Sequence, residues 1–150
     1  MIPTGDIQPV AGTPLDFRQP RPIGGRIADL APSADNPGGY DHNYVLDGTP
    51  GSMRRCAVVT SPRTGITMTL SSDQPGIQFY SGNFLDGVPG KGGTTYNARD
   101  GLCLETQAFP DSINKQGKPG WPDVILRPGK TYHHRMVHAF TVAPTTPAAH

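Results

Sequence analysis

Hydrophobic positions along the chain fall in short clusters rather than in long periodic runs. Arg54 to Thr60 (RRCAVVT) and Ile66 to Ser71 (ITMTLS) are rich in apolar, β-branched residues, and Ser61-Pro62-Arg63-Thr64-Gly65 separates them. Proline pre-sets such a turn and glycine supplies its positive φ, so the segment predicts a hairpin. Further strands are expected at Leu15 to Arg18, Ile77 to Tyr80, Leu102 to Thr106, Val124 to Leu126 and Tyr132 to Val142. In the last of these Tyr132, His134, Met136, His138, Phe140 and Val142 alternate with the intervening residues, a period of two. No stretch shows the periodicity of a long helix. The first 50 residues are mostly turns, and residues 143–150 form a small-residue tail expected to fray.

Composition sharpens this into an all-β expectation. Glycine and proline make up 36 of the 150 residues, enough to raise the question of disorder. Leu, Ile, Val and Phe number 29, just under a fifth, but disorder also demands a high net charge, and 13 basic residues here nearly cancel 12 acidic ones. A neutral chain punctuated by turn residues reads as many short strands within one domain spanning residues 1–150.

The balanced charge argues against nucleic-acid and anionic-membrane partners, which usually face a basic patch. No apolar stretch reaches membrane-spanning length and the N-terminus carries no export signal pattern, so a soluble, cytoplasmic chain is expected. Cys56 and Cys103, 47 residues apart in apolar runs without metal or redox spacing, are expected to be buried free thiols. His134 and His138 are four apart, as helical metal ligands are, but on a strand four residues span about 13 Å, too far for one zinc ion. With His133 they are expected on a strand surface, partly exposed, and no metal is expected.

Three polar clusters remain: Gly39 to Tyr44 (GYDHNY), Gln74 to Phe84 (QPGIQFYSGNF), and Cys103 to Gln107 (CLETQ) followed by Phe109 to Ser112 (FPDS). In this order they closely resemble the C-terminal half of the aldose 1-epimerase, or galactose mutarotase, family. IPTGDIQPVAGTPLDFR at Ile2 to Arg18, GNFLDG at Gly82 to Gly87 and ILRPGKTY at Ile125 to Tyr132 resemble it too.

The resemblance implies a partial β-supersandwich and an activity: interconversion of the α and β anomers of free aldoses such as glucose and galactose. A base removes the anomeric hydroxyl proton while an acid protonates the ring oxygen, the ring opens, and reclosure gives the other anomer. It implies no cofactor and a monosaccharide substrate. Glu105 in LETQ matches the family's general base, Asp41 in GYDHNY a carboxylate that binds sugar hydroxyls, and Gln78 in QPGIQFY a further sugar contact. Burial between Leu102 and Leu104 would raise the Glu105 pKa toward working pH. Blander readings exist for each: a solvated strand-end carboxylate for Glu105, an Asx-turn residue for Asp41, and a partner for backbone groups for Gln78. Asn83 and Tyr80 read as structural.

The family's general acid is a histidine of the N-terminal half, and none of His42, His133, His134, His138 and His150 matches it. Ala108 and Ile113 also depart from the family's usual residues. Met1 stands where the family continues a chain already under way, so a fragment or a split-gene product is expected, inactive without the other half. Its expected partners are a separate N-terminal half or further copies joined through open sheet edges. Two other functions fit the same residues: a non-catalytic carbohydrate-binding β-domain, and a hexose-6-phosphate 1-epimerase-like protein, although the arginine cluster expected around a phosphate is not evident.

Overall fold

The computed structural model describes residues 2–33 and 36–142. Its strands, in chain order, are β1 (Asp41–Val45), β2 (Arg54–Thr60), β3 (Ile66–Ser72), β4 (Gly76–Tyr80), β5 (Val88–Pro89), β6 (Thr95–Tyr96), β7 (Cys103–Gln107) and β8 (Met136–Val142). All pairings between them are antiparallel, in sheets of order β1-β4-β7, β2-β3-β8 and β5-β6. Helical structure among the described residues is limited to short 3₁₀ segments at Ile23–Asp29, Lys91–Gly93 and Ser112–Lys115. None of its helices is long and apolar enough to cross a membrane.

The expected β2–β3 hairpin forms, with a bulge between Arg55 and Ala57. β4 and β7 lie within a residue of their expected positions, and β8 occupies the second part of its expected range. Three expectations fail for a common reason: side-chain acceptors, local in two cases and distant in sequence in the third, take the backbone donors that a ladder would need. Leu15 to Arg18 is not a strand, because the Thr13 hydroxyl accepts the Leu15 amide and the Asp16 carboxylate accepts the Arg18 amide. Val124 to Leu126 is not one either; the Ile125 amide is held by the Asp123 carboxylate, and Arg127 bonds back to the Ile125 carbonyl. Before β8, the Arg135 amide donates to buried Asp73 rather than to a strand, so the ladder begins at Met136. The expected tail at 143–150 lies outside the described residues.

The β1-β4-β7 sheet has two different faces. Because side chains alternate and paired residues share a face, His42, Tyr44, Ile77, Phe79, Leu104 and Thr106 point one way. On that side Phe79 stacks on the fully buried Tyr40 at 4.8 Å and Phe17 meets both rings edge-on, an arrangement worth about 0.5–1.5 kcal/mol per pair beyond area burial. Thr106 also reaches toward the other sheet, its hydroxyl 3.1 Å from His134 Nε2 and 3.2 Å from Met136 Sδ. The opposite face carries Asp41, Asn43 and Val45, then Gly76, Gln78 and Tyr80, then Cys103, Glu105 and Gln107.

Cys103 is therefore exposed, contrary to expectation, because it lies on this open face of an edge strand; Cys56 is half-buried, and both are free thiols. His133, His134 and His138 are exposed, but only His138 belongs to a strand. Among the described residues no group of three or more His, Cys, Asp or Glu side chains is arranged to hold a metal ion.

Candidate functional site on the β1-β4-β7 sheet

Asp41, Gln78 and Glu105, far apart in sequence, share the open face of this sheet. Asn43, Gln78 and Glu105 form one row across its three strands, since Gln78 pairs with Asn43 on one side and with Glu105 on the other. Asp41, Tyr80 and Cys103 form the next row. With strands about 4.8 Å apart, β1 and β7 are separated by about 10 Å, which leaves the two carboxylates flanking a central strand.

The rows are joined by hydrogen bonding. Gln78 Nε2 donates to Asp41 Oδ1 at 2.8 Å, which fixes the orientation of the amide, because a carboxylate can only accept. Gln78 Oε1 and Asn43 Nδ2 are buried without a partner among the described residues. An acceptor and a donor left unpaired beside two carboxylates are unusual in a folded protein, and such groups call for an explanation in chemistry or strain.

Asp41 is placed by a polar latch at the mouth of β1. The Ser81 hydroxyl accepts the Tyr40 amide at 3.0 Å, Asn83 Nδ2 donates to the Tyr40 carbonyl at 2.8 Å, and the Ser81 hydroxyl donates to Asn83 Oδ1 at 2.6 Å. Ser81 and Asn83 are themselves buried. The structural reading of Asn83 thus has a definite content: it anchors the residue next to Asp41. Tyr80 beside Asp41 accepts the Phe84 amide through its hydroxyl at 2.8 Å, and its ring stacks on exposed Phe84 at 6.4 Å.

Glu105 is exposed, so the burial suggested by its leucine neighbours is absent: Leu104 turns to the opposite face and Leu102 is itself exposed. The histidines lie elsewhere. His42 points away from Glu105, accepts the Asp41 amide at Nδ1, and has its pKa lowered, chiefly by burial, against the pull of Asp41. His134 bonds to Thr106, also on the far side, and His138 belongs to the other sheet.

In sequence the GYDHNY segment reads as a polar cluster between strands, yet it forms β1. Its burial is partial on both faces, so no clean alternation marks it. Once it is a strand, Asn43 must accompany Asp41, a consequence that the spacing of two could have signalled.

Residues 1–139 match the family model described as aldose 1-epimerase. Human galactose mutarotase is 42% identical over 144 residues, which are 95% of this chain and 40% of that protein. The aldose 1-epimerase of Escherichia coli K12 is 37% identical over 142 residues, 93% of this chain and again 40% of the other. A crystal structure of an aldose epimerase homologue from C. elegans superposes with a TM-score of 0.77 at 28% identity, covering 94% of this chain and 40% of that one. The chain spans about 40% of the length of the relatives it matches, and it belongs to the aldose 1-epimerase family.

Proposed function

We propose that this chain supplies the sugar-binding and base-bearing part of an aldose 1-epimerase acting on free aldohexoses such as glucose and galactose. The observation that carries the reading is the single face on which Gln78 pairs with Glu105 and hydrogen-bonds Asp41. Asp41 accepts hydrogen bonds from ring hydroxyls, held by Gln78 so that one oxygen stays oriented. Glu105 removes the proton of the anomeric hydroxyl, and the C1–ring-oxygen bond breaks as a second group protonates the ring oxygen. Rotation about C1–C2 and reversal of the steps give the other anomer. Among the described residues His42 and His134 face away from Glu105, so this reading assigns the ring-oxygen acid to a group other than these two histidines.

The exposure of Glu105 favours one second reading, a carbohydrate-binding domain that holds sugars without turning them over. Polarimetry separates the two. When the chain is joined to the N-terminal segment of human galactose mutarotase, anomer interconversion should appear. Glu105→Gln, which keeps shape but removes the base, should lower kcat by about 10²-fold or more with sugar affinity little changed. Asp41→Asn should weaken binding, by about 1.5–3 kcal/mol for a hydrogen bond to a charged acceptor. Near-full turnover in Glu105→Gln would refute its assignment as the base, and sugar binding without turnover in the joined protein would support the second reading.

A further inference from the structure

Asn43 stands directly opposite Gln78 in the middle row of the open face, with Glu105 on the other side of Gln78. Its Nδ2 is buried without a partner among the described residues, and the same holds for Gln78 Oε1. One is a donor and the other an acceptor. Directly opposed residues carry their Cβ atoms about 4.5–5.5 Å apart, within reach of a side-chain hydrogen bond. The second arm of each amide is already committed. Gln78 Nε2 donates to Asp41 Oδ1, and Asn43 Oδ1 is lodged against Gly76, where an added Cβ would come within 3.0 Å of it and within 2.8 Å of the buried Phe109 ring. Gly76 belongs to the row on the side away from Asp41, so the arm that Asn43 has left for Gln78 is its donor.

We propose that Asn43 is a positioning residue of the sugar site: when Asp41 holds a sugar hydroxyl, Asn43 Nδ2 donates to Gln78 Oε1 and completes a chain Asn43–Gln78–Asp41. The inference rests on the sugar site proposed above. A carboxylate that has taken up hydroxyls loses its freedom to rotate and holds Gln78 Nε2 in one place. The amide is planar, so fixing Nε2 also fixes Oε1, which then presents a stationary acceptor to Asn43. Hydrogen bonds in such a chain polarise one another. Donation to Oε1 makes the Nε2–H a stronger donor to Asp41, and sugar affinity gains from a residue that does not touch the sugar. With the pair open, two buried polar groups stay unsatisfied, an unfavourable state that closure relieves.

The 150-residue chain is titrated with D-galactose by calorimetry and by nuclear magnetic resonance of its side-chain amides. Asn43→Leu and the near-isosteric Asn43→Asp both lack the donor, and each should weaken galactose binding about five-fold, the effect of one ordinary net hydrogen bond. In a Gln78→Met background the same substitutions should change affinity less than about two-fold, because the acceptor they act through is gone. The Asn43 Nδ2 protons should shift as the parent saturates with galactose and stay in place in Gln78→Met. Equal losses in both backgrounds, or galactose binding by the parent with no Asn43 shift, would overturn the positioning role. An Asn43 shift that persists in Gln78→Met would overturn it in favour of direct contact with the sugar. The site at Asp41 stands in each of these cases, whereas absence of galactose binding by the parent chain would overturn both.

Discussion

Gly39 and Gly51 offer a matched pair that isolates how strongly the latch before Asp41 is packed. Both are left-handed, with φ of +88° and +87°, so replacement by alanine should cost each about 1–2 kcal/mol for that conformation alone. Their surroundings differ completely. A Cβ at Gly51 meets nothing within 4 Å, whereas one at Gly39 would collide with Asn83 Oδ1 and approach Ser81 Oγ to 3.0 Å. Both of those oxygens are engaged in buried hydrogen bonds that hold Tyr40. Relieving the collision breaks at least one of them and leaves a buried polar group unsatisfied, a further cost of about 1–3 kcal/mol. Gly39→Ala should therefore lose about 2–5 kcal/mol and Gly51→Ala about 1–2. Urea unfolding followed by circular dichroism gives both numbers, provided the slopes match. Equal losses would refute the argument, because the latch would then be loose enough to absorb a methyl group.

Three further outcomes follow from the same structure. The Asp73 carboxyl is held below its ordinary value chiefly by the Arg135 amide and then by the Gln74 side chain. Its contribution to stability is full above the unfolded pKa of about 3.9 and is lost as pH falls through the lower folded value. Thermal melts below about pH 4 should thus show a smaller acid loss in Asp73→Asn than in the parent; identical profiles would contradict this. Cys103 is exposed, while Cys56 is half-buried with its thiol pKa raised by burial, so a thiol-titrating reagent at neutral pH should modify Cys103 first, and Cys103→Ser should remove the fast phase. The edge strand β8 exposes Val137, Phe140 and Val142; the isolated chain should elute larger than a monomer by light scattering, and a sharp monomer peak would contradict that.

The sequence is most legible where β-branched residues flank a strong turn, as in β2 and β3, and the motif residues Asp41, Gln78 and Glu105, distant in sequence, lie on one face of a single sheet. It is least legible where single side chains decide the backbone. Asp123 and Thr13 each capture an amide that an apolar pattern assigns to a strand. Such captures depend on one rotamer and leave no periodic trace. The exposure of Glu105 has a different origin: its neighbours in sequence say nothing about which face of an edge strand is covered. That face is decided by partners distant in the chain, and among the described residues its far side, not its own, receives the aromatic cluster.

The most direct test of the sugar site is a nuclear magnetic resonance titration of the isotopically labelled chain with D-galactose. Resonances of Asp41, Asn43, Gln78 and Glu105 should move together along one binding curve, with the Gln78 side-chain amide among the largest shifts. Their alternating neighbours His42, Phe79 and Leu104, which face the other way, should move less. Shifts centred on the β2-β3-β8 sheet, or no saturable shifts at all, would contradict the placement of a sugar site on the open face of β1-β4-β7.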